Sequence, residues 1–106
     1  MFTSEIELAG KNRRIKFDYN ALADLEKEAG AGIAKLFTDE TNIGFNTIRL
    51  LVWSGLKHEE RGLTLNRAGL MIEQYIEEGG ELKELVEKFA DALKACSVFT
   101  ANSKNA

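Results

Sequence analysis

The chain has 106 residues, the usual size of one domain, so a single hydrophobic core is expected and a second has no room. Hydrophobic residues make up 44% and charged residues 29%, which excludes a disordered or fibrous chain. With 17 acidic against 14 basic side chains the formal net charge is −3, which excludes a global positive field able to draw in a nucleic-acid backbone.

From the amino terminus, Phe2, Ser4, Ile6 and Leu8 fall on one face of an extended segment, with Thr3, Glu5 and Glu7 on the other. That period of two is the mark of a half-buried strand. Gly10, Lys11 and Asn12 supply a turn, and Arg13–Tyr19 resumes the alternation, with Ile15, Phe17 and Tyr19 apolar against Arg14, Lys16 and Asp18. The pair predicts an antiparallel hairpin. A lone hairpin is marginal in water, so its apolar face must lie on the following helices or on another subunit.

Asp18 or Asn20 can cap a first helix at about Asn20–Ala29, where Leu22, Leu25 and Ala29 recur at helical spacing and Gly30 ends the run. Ala31–Phe37, with Ile33, Leu36 and Phe37, predicts one or two short helical turns, and Thr38–Asn42 a surface loop. Over Gly44–Lys57 the residues Phe45, Ile48, Leu51, Val52 and Leu56 share one helical face, and Leu50 and Trp53 widen it almost to the whole circumference. This helix is expected to be central.

A charged break at His58–Gly62 precedes Thr64, a good cap for a helix carrying Leu65, Ala68, Ile72, Tyr75 and Ile76, which Gly79 and Gly80 end. The last helix begins near Glu81 and runs to Ser97. It sets Leu82, Leu85, Val86, Phe89, Leu93 and Cys96 on one stripe, with Glu84 and Lys88 paired outside. The fold expected is α+β, an N-terminal antiparallel β-hairpin followed by four to five packed α-helices. It forms a single domain over residues 1–99, with 100–106 a flexible polar tail.

The candidates for chemistry are few. Cys96 is the only cysteine, so neither an internal disulfide nor a multi-cysteine zinc site can form, and a reducing compartment is expected. On the apolar stripe it reads as a small buried hydrophobe. His58 stands in a charged loop beside Glu59 and Glu60 and lacks the further partners of a zinc site or a triad. Gly30-Ala31-Gly32 follows a helix and lacks the lysine and hydroxyl of a phosphate loop, and Gly79-Gly80 joins two helices; both read as turns.

The acidic series Glu73, Glu77, Glu78, Glu81, Glu84, Glu87 and Asp91 is spread by helical spacing over a surface. These readings predict no enzyme activity, catalytic residue, metal or cofactor. The basic residues Lys11, Arg13, Arg14 and Lys16 form one patch. It reads either as edge-strand protection or, in the alternative, as a regulatory module touching nucleic acid through Arg13 and Arg14.

No secretion signal is expected from the first nine residues, and the longest apolar run, Leu50–Trp53, falls far short of the roughly 20 residues a membrane span requires. A cytoplasmic protein follows. Leu50 and Trp53 pose a choice: the helix is apolar nearly all round, so it is either the core helix or has a spare face that meets a partner. Val98 and Phe99 pose the same choice of fold-back or interaction patch. These four residues are the candidate protein-binding positions.

The stretches Phe17-Asp18-Tyr19-Asn20-Ala21-Leu22-Ala23-Asp24-Leu25-Glu26, Leu51-Val52-Trp53-Ser54-Gly55-Leu56-Lys57-His58-Glu59 and Leu63-Thr64-Leu65 with the helix up to Tyr75-Ile76 carry a resemblance. Together with the order of elements, they resemble the tail assembly chaperones of long-tailed, non-contractile phages (siphophages), related prophages and gene transfer agents. The resemblance implies a non-enzymatic protein of the bacterial host cytoplasm, absent from the mature virion. Such a protein coats the tape-measure protein, keeps its apolar helices soluble and helps recruit tail-tube protein during tail morphogenesis; a homo-oligomer is expected. It also implies a longer frameshifted product, and Ser103-Lys104-Asn105 is compatible with the slippery heptamer A AAA AAC.

Overall fold

The computed structural model describes residues 4–30, 32 and 44–95. Alternation at the start becomes an antiparallel hairpin of β1 (Ser4–Leu8) and β2 (Lys11–Ile15), in the register Ser4↔Ile15, Ile6↔Arg13 and Leu8↔Lys11. The turn is shorter than the sequence suggests. Ala9 and Gly10 both take positive φ, 54° and 75°, giving the two-residue turn whose twist matches that of the strands, so Lys11 and Asn12 already belong to β2.

Strand β2 also stops four residues early. Asp18 turns the chain into α1 (Tyr19–Ala29) by accepting a hydrogen bond from Ala21 N at 2.8 Å. Tyr19 is therefore the first helical residue and 72% exposed, not a member of the apolar strand face. Between strand and helix, Lys16 N donates to Gly55 O at 2.9 Å, which fixes the hairpin to the helix that follows.

That helix, α2 (Phe45–Leu56), is central as expected, touching α1, β2, α3 (Leu65–Glu77) and α4 (Leu82–Lys94). Its wide apolar face is used because neighbours cover it on several sides: Ile48, Leu50, Leu51, Val52 and Leu56 are all buried. The buried Ser54 hydroxyl donates to Leu50 O at 2.7 Å, so its polarity is met within the helix. Gly55 is not a boundary residue. A Cβ there would stand 3.0 Å from the Phe17 ring and 3.1 Å from the Phe89 ring, and its absence lets both rings close on α2.

Thr64 caps α3 by accepting from Arg67 N at 3.1 Å, and the helix buries Ala68 and Met71, the latter absent from the expected stripe. Helix α4 buries Leu85, Phe89, Ala92 and Leu93 against β1 and α2. Lys88 on its outer face donates to Glu5 O at 3.3 Å instead of pairing with Glu84. The architecture is thus α+β, an antiparallel hairpin followed by four helices in the described residues, all sharing one hydrophobic core. The short helical piece expected at Ala31–Phe37, the loop Thr38–Asn42, and Cys96, Val98, Phe99 and the tail lie outside the described residues.

A candidate interaction groove

The positions singled out for chemistry are mostly occupied with holding the fold. His58 is exposed and its Nε2 lies 2.9 Å from Arg14 O. Arg13, on the buried side of β2 by strand parity, is only 5% exposed. Its Nε donates to Leu8 O at 2.9 Å and its Nη1 to Glu60 Oε1 at 2.8 Å, while Arg67 Nε reaches the other oxygen of Glu60 at 2.8 Å. The two guanidinium groups, Arg13 first, hold the Glu60 carboxyl below the usual glutamate range. Glu59 is lowered chiefly by the hydrogen bond from Arg14 N, at 3.1 Å.

These contacts tie the hairpin to the α2–α3 loop. They withdraw Arg13 from the basic patch of Lys11, Arg13, Arg14 and Lys16, because it is buried, while Arg14 stays exposed beside Glu59.

The acidic series spreads along α3, the α3–α4 turn and α4, and no group of three His, Cys, Asp or Glu side chains among the described residues is placed to hold a metal ion. No helix there is long and apolar enough to cross a membrane. Burial raises the Tyr75 phenol above its usual range, with Glu84 and Glu81 adding to the shift.

Of the four candidate binding positions, Leu50 is 1% exposed, so in this chain it belongs to the core and offers no free surface. Trp53 is half-buried; its Nε1 donates to Leu63 O at 2.9 Å, and Lys57 Nζ lies 4.5 Å from the ring centroid while also pairing with Asp24. The indole thus joins α2 to the segment leading into α3. Val98 and Phe99 lie outside the described residues.

The free apolar surface sits elsewhere. Phe45, in the first turn of α2, is 85% exposed, and Ile76, near the end of α3, is 46% exposed. With them, Ile48 and Arg49 of α2, Gly69 and Ile72 of α3 and Leu82 of α4 line a groove of about 410 Å³. Arg49 lies along it with its Nη2 donating to Asn46 Oδ1 at 2.8 Å, while its Nε is buried and has no hydrogen-bond partner. A buried donor left unmatched costs about 1–3 kcal/mol.

Sequence reading assigned Phe45, Ile48, Ile72 and Ile76 to core faces. Ile48 is buried and Ile72 packs against the core as that periodicity requires, but Phe45 and Ile76 at the rim stay in solvent. No protein-family model, curated protein or solved structure matches the chain.

Proposed function

We propose that the chain is a non-enzymatic binding protein of phage tail morphogenesis, a tail assembly chaperone that binds apolar helices of the tape-measure protein and helps recruit tail-tube subunits. The observation carrying the reading is the apolar groove between α2, α3 and the start of α4, with Phe45 standing at its rim in solvent. A client of long apolar helices needs such an open surface, on which a helix lays residues spaced three and four apart. An excess of acidic groups, net −3, helps keep a many-copy complex in solution.

The resemblance of Phe17–Glu26, Leu51–Glu59 and Leu63–Ile76 to the tail assembly chaperones supplies the identity of the client. The same reading makes the protein a resident of the bacterial host cytoplasm that self-associates and leaves before the virion is complete. Against the alternative of a nucleic-acid module stands the internal pairing of Arg13 and Arg14.

Co-expression with the tape-measure protein of the same phage genome tests the proposal. The client is expected to move from the insoluble to the soluble fraction and to co-purify; an unchanged insoluble client with no co-purification overturns it.

A further inference from the structure

Resting on the chaperone reading, we infer that the α2–α3–α4 groove is the client's seat and that it selects an apolar helix carrying one carboxylate, which pairs with Arg49. The side chain of Arg49 crosses the groove over Gly69: a Cβ at residue 69 would lie 3.5 Å from Arg49 Cδ. Its Nε is buried without an acceptor, and among the described residues no carboxylate pairs with it. Every other described arginine with a buried or half-shielded contact, Arg13 first among them, meets a glutamate.

An occupant that covers Phe45 and Ile76 would remove the remaining water around this cation. A carboxylate on the occupant is the acceptor that best offsets its desolvation. A helix suits the apolar walls because its backbone is already hydrogen-bonded and it brings side chains alone to the floor.

A second copy of the described chain is the poorer occupant. The stripes of α1 and α4 face its own core, that of α3 is divided between the core and the groove itself, and beyond the groove rim its exposed large hydrophobics are Tyr19 and Leu70. No described helix keeps an apolar stripe to insert. The client's helices are therefore the better fit, and those with an acidic residue beside the stripe should bind best.

The test uses the full chain, the co-expressed tape-measure protein, and overlapping peptides from that protein's helical regions, with binding read by fluorescence anisotropy. Phe45→Ser and Gly69→Leu should each weaken peptide binding about tenfold or more; leucine at 69 enters the groove while favouring the helix that carries it. A peptide with an acidic residue in its stripe should lose about tenfold when that residue is made the neutral amide, and Arg49→Gln should abolish the difference.

If the wild type keeps the client soluble and the variants, folded by circular dichroism, bind as well as it does, the groove is not the seat although the chaperone reading stands. If the wild type neither solubilises the client nor binds any peptide, the reading itself fails. Equal binding of acidic and neutral peptides overturns the role of Arg49. A dimer that dissociates on Gly69→Leu with peptide binding unchanged assigns the groove to a second copy. Tighter peptide binding after Asp39→Asn with Glu40→Gln assigns Arg49 to the chain's own residues 31–43. Either result overturns the inference.

Discussion

Two arginines, each drawn under apolar surface by its helix or strand, end in opposite circumstances. Arg13, on β2, is enclosed by Leu8 O and by a glutamate that it shares with Arg67. Arg49, on α2, has one bond to Asn46 and a buried Nε with nothing to donate to. Arg13 is buried with its hydrogen bonds made, whereas Arg49 is half-buried and keeps one buried N–H unmatched. The hairpin junction is therefore a structural latch, whereas the groove is an open apolar surface for which the proposed client helix would supply the carboxylate.

The sharpest way to break the comparison is at the latch. Arg13→Ala removes a buried donor set and strands part of Glu60, so the unfolding free energy from urea titration should fall by about 3 kcal/mol, and Arg13→Lys should not restore it because the planar fork is lost. Glu60→Gln should be the next most damaging change near neutral pH, with a pH dependence of known sign. The carboxyl is held low in the folded chain, so its stabilisation is present above the unfolded glutamate range and is lost as pH falls through the lower folded value. Urea midpoints of wild type and variant should therefore converge on acidification.

The groove should respond in the other direction. Arg49→Met removes the unmatched donor and keeps the apolar stem, so thermal unfolding should show a chain unchanged or more stable by up to about 1 kcal/mol, even as selection among client peptides disappears. Phe45→Ser should be the smallest perturbation, within about 0.5 kcal/mol of wild type by the same measurement, because the ring is already in solvent. A large loss from either groove variant would make that region a latch too and erase the distinction.

Legibility followed the range of the interactions involved. The stripe Leu82, Leu85, Val86, Phe89 and Leu93, the cap at Thr64 and the alternation of Ile6 with Leu8 are local patterns, and elements formed on all three, although α4 ends at Lys94, short of the expected Ser97. Strand parity carried past Asp18 puts Tyr19 on the apolar face, but the capping bond of Asp18 starts a helix there instead. One helix read alone shows more apolar surface than it needs, which makes Leu50 a candidate partner contact; with α1, α3, α4 and β2 around α2, that side chain is enclosed.

By itself the sequence determined the fold class, the order of its elements and most of their boundaries, since these depend on residues within a few positions of one another. Only the tertiary structure decided which arginine is satisfied, why Gly55 must be small, and that among the described residues the apolar groove lies by Phe45 and Ile76 while Leu50 is enclosed. Burial and hydrogen-bond satisfaction belong to pairs of surfaces brought together from distant parts of the chain, and no periodicity within one helix records what will lie against it.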